Sequence, residues 1–262
     1  MILLLDIGNT TTTVGLGDDR RVRHAVRFPT AHWRAAQAGA VWRRLTKPRA
    51  IRGVALCSVV PSVTRTAQRV ARDATGAAAR VLTARSLRGL RLDYPRPETI
   101  GPDRLANAWA AWAEFGAPVV AVDFGTATTF DVVDARGCFV GGIIAPGWRL
   151  MTDYLHERTA RLPRVTPGAV RSFIGRSTEQ AMRVAAVHGY VGMVRALLEG
   201  LQRELAARKL TVVATGGDAP ALARRVPTIT AVRPHLTLDG LRRFWLATSQ
   251  NADCASAGGS EI

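Results

Sequence analysis

The chain has 262 residues, 47% of them hydrophobic, enough for one large core or two smaller ones. No apolar stretch approaches the ~18 to 20 uncharged residues that span a bilayer, and the opening MILLLD lacks a basic flank and a small-residue cleavage site, so a soluble cytoplasmic protein is expected. The formal charge of +16 comes from 36 Lys and Arg against 20 Asp and Glu, but the arginines are scattered rather than gathered into one run, so specific nucleic-acid binding is not expected. Cys57, Cys138 and Cys254 are odd in number, far apart and without CxxC spacing, which suggests neither a disulfide framework nor a zinc site; they read as inert.

The first element, MILLLDIGNTTTTVGL, is an apolar strand that ends in Asp6 and turns through Gly8 and Asn9 into a threonine-rich second strand. The stretch APVVAVDFGTATTFDVVDARGCFVGG repeats this design. Asp6, Gly8, Thr11 and Thr12 align with Asp123, Gly125, Thr128 and Thr129 without a gap, at a constant offset of 117 residues. The following turns, GDDRR and DARG, are both rich in hairpin-forming residues. Farther on, IRGVALCSVVPSVTRTAQRVA and LTVVATGGDAPALARRV each give a strand, a small-residue turn with Pro and a helix, so the chain reads as an internal duplication.

Two such halves imply two α/β domains, residues 1–115 and 116–247, each a mixed sheet with flanking helices, facing each other across a cleft. The small polar stretch 248–262 reads as a disordered tail. Gly at each strand end permits close backbone approach, and Thr hydroxyls with turn N–H groups donate to phosphate oxygens. The neighbouring carboxylates suit a cation or its water shell. For a single copy, an ordinary hairpin explains the threonines equally well.

Between the halves, LDYPRPETIGPDRLANAWAAWAEFG is an irregular loop running into a helix. Pro102 suits the first helical position, and Leu105, Ala108, Trp109 and Trp112 form one apolar face. Asp103 then sits at the helix N-terminus, where position alone predicts a dipole-complementing role worth ~0.3 to 1 kcal/mol.

In chain order, DIGNT, YPRPETIGPDR, DFGTATTFDVV, GGIIAPGWRLMTDYLHERTARLP, IGRSTEQAM with GYVG, and ATGGDA resemble the motif series of type III pantothenate kinases, over roughly residues 1 to 247. Any one of these motifs is weak, and DxGNT or TGG alone occurs widely in the actin and sugar-kinase superfamily; six in order are specific. The resemblance implies a duplicated actin-like (ribonuclease H-like) fold, a bacterial cytoplasmic homodimer, and ATP-dependent phosphorylation of pantothenate to 4′-phosphopantothenate, the first step of coenzyme A synthesis.

It also implies residue roles. Asp6, Ile7, Gly8, Asn9, Thr10, Thr11, Thr12 and Thr13 form the first ATP loop, with Asp6 near a water-held Mg²⁺. Thr126 is a second ATP contact, and Gly216 and Gly217 admit the adenosine. Asp123 is the ligand of a monovalent cation, K⁺ or NH₄⁺. Tyr94, Gly101, Pro102, Asp103, Arg104 and Thr178 bind pantothenate, and Asp103 accepts the proton. Asp103 is expected to be made more acidic by its helix, which a loose transition state tolerates.

Two departures from the family pattern stand out: GPDR in place of the common GADR, and Ser177-Thr178 in place of Asn-Thr. Pro102 removes a backbone N–H, and Ser177 bears on the Thr178 contact. The five histidines, His24, His32, His156, His188 and His235, share no metal-ligand spacing and read as ordinary residues. Trp33, Trp42, Trp109, Trp112, Trp148 and Trp245 read mostly as core or interface anchors; Trp148, beside APG, lies nearest the expected site. The stretch MRVAAVHGYVGMVRALLEGLQRELAARK is a long amphipathic helix that serves either the core or, as in the family, subunit packing. The alternatives are another kinase or phosphatase of the superfamily, which needs neither IGPDR nor IGRST, and a nucleotide-binding transcriptional accessory factor, against which an intact Asp103 speaks.

Overall fold

The computed structural model describes residues 1–33 and 50–257, with side chains as far as residue 249. The chain divides into two compact units: Met1–Glu114 together with the chain from His235 on, and Phe115–Pro234.

The first unit opens on the antiparallel strands β1 (Ile2–Ile7), β2 (Thr11–Gly17) and β3 (Val22–Pro29). β4 (Gly53–Ser58) pairs parallel with β1, and β5 (Ala79–Val81) pairs parallel with β4, giving the order β3-β2-β1-β4-β5. Helix α1 (Pro61–Thr75) links β4 to β5; Pro61 starts it and Gly76, at φ 72°, ends it in the left-handed region. A short strand β6 (Arg91–Leu92) and a 3₁₀ turn at Pro97–Thr99 lead into α2 (Pro102–Phe115).

The second unit repeats the plan. β7 (Val119–Phe124), β8 (Ala127–Val133) and β9 (Cys138–Pro146) form the antiparallel meander. Helix α3 (Trp148–Arg158) follows, then α4 (Thr178–Val184), a π turn at Ala185–Gly189 and α5 (Tyr190–Glu204). β10 (Thr211–Thr215) pairs parallel with β7, α6 (Ala219–Ala223) follows it, and β11 (Ala231–Val232) pairs parallel with β10. These strands run β11-β10-β7-β8-β9, the order of the first unit.

The ladder registers correct the ungapped repeat. In the first unit Ile7 faces Thr12 across the hairpin, whereas in the second Phe124 faces Thr128, so the second turn is one residue shorter. Thr12 and Thr128 are the equivalent pair. Both are fully buried: Thr12 Oγ1 accepts from the Trp33 indole N–H at 3.0 Å, and Thr128 Oγ1 bonds the Tyr190 hydroxyl at 2.5 Å.

The final helix, α7 (Leu236–Ala257), corrects the domain limits and the tail. It belongs with the first unit, not the second, and it is helical from 248 to 257, where disorder is expected; residues 258–262 lie outside the described residues, as does Trp42. Its packing explains the continuous apolar run of β1. Leu3, Leu5 and Ile7 join Val63, Ala67 and Ala71 of α1 in one core, while α7 covers the opposite face, with Leu238 against Gly15 and Trp245 against Gly53. A strand buried on both faces has no polar face to show.

The helical run Thr178–Glu204 is long and apolar enough by composition to cross a bilayer, yet Tyr190, Val191, Val194 and Leu198 belong to the core of the second unit with Val120, Val122 and Phe124. It is a core helix.

Candidate active site

In the first unit the β1–β2 turn is a built loop. Gly8 N–H donates to Thr11 O at 3.0 Å, and Asn9, Thr10 and Thr11 are exposed. Strand alternation turns Thr12 inward, so its hydroxyl serves the core and bonds Thr30 Oγ1 at 3.0 Å; Thr13 is buried as well. The side chains that face solvent from this loop are therefore those of residues 9 to 11. Thr30, absent from the sequence expectations, fixes the loop from behind: its hydroxyl donates to Gly8 O at 2.7 Å and its N–H to Thr10 O at 2.9 Å. Its only sequence signal is the threonine of FPTAHW at the end of β3.

Asp6 is half-buried at the end of β1, level with Cys57 of the parallel neighbour β4. The Cys57 thiol donates to Asp6 Oδ1 at 3.5 Å. Burial first, then the charges of Asp6 and Asp103, push that thiol up, so Cys57 stays protonated and both carboxylates lie within its electrostatic reach. Cys57 is inert as a nucleophile, but it is not a bystander.

Asp103 stands at the start of α2. Its Oδ1 accepts from Arg104 N–H at 2.9 Å, and a side chain at Gly101 would meet that oxygen at 2.5 Å. Pro102 occupies the first helical position, where a backbone N–H has no intrahelical partner, so the GPDR departure leaves the helix intact. The expectation that the helix makes Asp103 more acidic is overturned. Burial is the largest influence and raises its carboxyl above the ordinary range, against the Arg104 N–H, its own N–H and the Arg104 charge. Gly101, Arg104 and Tyr94 are half-buried around this helix start and the loop before it.

In the second unit the β7–β8 turn carries Asp123, half-buried, and Thr126, exposed. Gly125 N–H donates to Ala127 O at 3.2 Å, and Gly147 N–H to Thr126 O at 3.0 Å. Asp123 pairs in register with Thr215 of β10, and Gly216 comes next at φ 91°. A side chain at Gly216 would lie 2.4 Å from Asp123 Oδ1 and 2.5 Å from Phe124 O, so a glycine is required twice over. Gly217 is exposed beside it. Asp218, which sequence reasoning left without a role inside ATGGDA, has its carboxyl raised by burial and opposed by Arg149, at 3.9 Å.

Thr178 is exposed as the first residue of α4. Ser177 is the N-cap, its Oγ accepting from Gln180 N–H at 3.2 Å, so the departure from Asn keeps a competent cap. Asp6 and Asp103 are thus gathered around Cys57 in one unit, and Asp123, Thr126 and Gly216 around one strand end in the other.

Two hairpin loops at equivalent strand ends, each with an acidic residue and hydroxyls, on a duplicated mixed-sheet fold, place the chain in the actin-like fold class. Solved structures agree on the fold. A Baf-family protein from Campylobacter jejuni, described as a transcriptional activator, aligns with TM-score 0.57 at 17% identity over 95% of this chain and 99% of its own. The ADPNP-bound activator of 2-hydroxyisocaproyl-CoA dehydratase from Clostridium difficile aligns with TM-score 0.50 at 12% identity over 100% and 98%.

Residues 2–200 match the type III pantothenate kinase family. The type III pantothenate kinase of Methylacidiphilum infernorum is 41% identical over 242 residues, covering 92% of this chain and 86% of that protein. That of Acidiphilium cryptum is 39% identical over 248 residues, covering 92% and 93%. The chain belongs to the type III pantothenate kinase family, phosphotransferases of coenzyme A biosynthesis.

Proposed function

We propose that the protein transfers the γ-phosphoryl group of ATP directly to the terminal hydroxyl of pantothenate, with Asp103 as the proton acceptor. The observation that carries this reading is the place of Asp103 in the first turn of α2, its Oδ1 accepting from Arg104 N–H at 2.9 Å, in a chain that matches the kinase family over residues 2–200. The hydroxyl oxygen forms the new P–O bond, ADP leaves, and the hydroxyl proton passes to the Asp103 carboxylate. In a loose transition state the oxygen becomes acidic late, so a carboxylate suffices, and one with a raised pKa holds the proton better than an ordinary one. Arg104 supplies a fork of donors for the substrate carboxylate or the phosphoryl oxygens.

The loop from Asp6 to Thr13 serves the phosphates through its N–H groups and the hydroxyls of Thr10 and Thr11, while Thr12 holds it from the core. Thr126 is the second ATP contact, Gly216 and Gly217 admit the adenosine, and Tyr94, Gly101, Pro102 and Thr178 complete the pantothenate contacts. The donor set fits hard cations. Asp6 would hold Mg²⁺ through water, which suits an ion that keeps its waters, since among the described residues no three His, Cys, Asp or Glu could cage a metal. Asp123 would hold the monovalent cation, its half-buried carboxylate standing at the end of β7 beside the turn. When bound with ATP, the cations supply charge neutralisation at the phosphates.

A homodimer in the cytoplasm completes the reading. Ile144, Phe173 and Ile174 of the second unit are 64%, 75% and 76% exposed, apolar side chains that a second copy would cover. Light scattering at micromolar concentration is expected to give twice the chain mass, and Ile174→Asp to shift it toward the monomer. For Asp103, substitution by Asn is expected to keep ATP binding and lose at least about a hundredfold in turnover, the range of general-base contributions. Turnover by Asp103→Asn within a few fold of wild type would remove Asp103 from the mechanism.

A further inference from the structure

We infer that Trp148 is a positioning residue that ties the Thr126 loop to the helix beginning at Thr178, and through that helix sets the affinity for pantothenate; the substrate named here rests on the reading of Thr178 given above. Two separate ties converge on the β7–β8 turn.

The first runs through α3. Gly147 N–H donates to Thr126 O at 3.0 Å, and a side chain at Gly147 would lie 2.3 Å from Thr126 O and 2.4 Å from Gly125 O. The start of α3 is therefore seated directly on the loop. Trp148 is the next residue, and its buried indole N–H donates to Ala186 O at 2.5 Å. Ala186 lies in the π turn Ala185–Gly189. There the Tyr190 N–H bonds the carbonyls of Ala185 and Val187 and passes over that of Ala186, the one the indole takes. Trp148 thus supplies a donor to the carbonyl that an α-helical Tyr190 N–H would have used.

The second tie runs through Tyr190 itself. Its ring stacks on Trp148 at 6.1 Å and 25°, and its hydroxyl bonds Thr128 Oγ1 at 2.5 Å, two residues past Thr126. Both aromatic groups are buried.

The π turn separates α4, which Thr178 begins, from α5, which is fixed in the core. One residue more or less in a helix turns everything before it by roughly 100° about the axis, so the π turn decides which way Thr178 faces. A wedge that favours this turn, mounted on the Thr126 loop, joins the two ligand positions mechanically. The pattern was visible in the sequence only as APGW, a tryptophan following the glycine that the loop requires.

Trp148→Phe keeps an aromatic ring against Tyr190 and removes only the N–H donor. It is expected to raise the KM for pantothenate about three- to tenfold, as the loss of one buried hydrogen bond implies, with the KM for ATP changed less than twofold. Tyr190→Phe, a smaller change suited to the case in which Trp148→Phe does not fold, is expected to act in the same direction. With the indole ¹⁵N-labelled, the wild-type signal that disappears in Trp148→Phe is expected to shift on addition of pantothenate. Thr178→Ala is the reference: an unchanged pantothenate KM in that variant alone would remove Thr178 as the contact and leave the Trp148 tie standing. A folded Trp148→Phe or Tyr190→Phe with lowered thermal stability but unchanged KM for pantothenate would reduce the tie to packing and overturn the inference.

Discussion

A carboxylate at a helix start is ordinarily favoured as the anion by the first-turn N–H groups, and Asp103 has such donors, yet its burial outweighs them. The consequence can be tested on stability separately from catalysis. With its folded pKa above the ordinary 3.8, Asp103 binds its proton more tightly folded than unfolded, so the stability it contributes is present below 3.8 and is lost as pH rises through the raised value. At neutral pH the buried anion is a cost that Asn does not carry. Asp103→Asn is therefore expected to melt above wild type at pH 7, with the gap closing as melts are repeated at lower pH; a gap that widens on acidification would contradict the raised pKa. By the same sign, wild-type kcat/KM is expected to fall on the acid side at a pH above 3.8. Position along the chain gave the place of Asp103 at the helix start, but the wrong direction for its acidity, because dipole and neighbours are local while burial is set by the fold around it. Cys57 has the same history. Its spacing from the other cysteines read it as inert, and could not reveal that the parallel pairing of β1 and β4 would set it beside Asp6.

The hairpins show how a motif can be legible while its register is not. Strand, turn and strand were readable in both copies from composition, but the ungapped alignment placed Thr11 opposite Thr128, and only the ladders reveal that the second turn is shorter by one residue. Burial then decides which threonines face solvent, Thr10 and Thr11, and which face the core, Thr12 and Thr13, a distinction that a run of four threonines conceals. Gly216 carries a sharper consequence. Gly216→Ala is expected to lower the denaturant midpoint by an amount worth about 1 to 3 kcal/mol, because an Ala must adopt φ 91° with its Cβ against Asp123. A midpoint within error of wild type would mean that the strand end has more room than the geometry allows. The stretch that forms α7 was read as the end of the second domain up to residue 247 and as a disordered tail beyond it, because proximity in sequence was the only guide available. Its partners are β1, β2 and β4, and Trp245 is a buried anchor flanked by the guanidinium groups of Arg52 and Arg80 at 5.0 and 5.3 Å. Trp245→Ala is expected to cost about 3 to 5 kcal/mol in chemical denaturation, as for other large aromatic truncations.

The duplication is what made the architecture readable before any coordinates: two halves with the same order of strand, turn and helix predict the same sheet twice, and the five strands of the first sheet share their order with five of the six strands of the second. The chain's return to the first unit at His235 breaks the symmetry and had no counterpart in the repeat to announce it. The charge of +16 is an attribute of the entire chain that neither site explains. It favours non-specific polyanion association that weakens steeply with salt, so any DNA binding is expected to vanish between low and moderate ionic strength and to show no sequence preference. Family membership rests on sequence similarity along most of the chain, and the chemistry is tested most directly by product. Purified protein given ATP, Mg²⁺, a potassium salt and pantothenate is expected to form 4′-phosphopantothenate and ADP in equal amounts, with pantothenate required for ADP release. Absence of 4′-phosphopantothenate from folded protein under these conditions, or ADP release indifferent to pantothenate, would contradict the assignment.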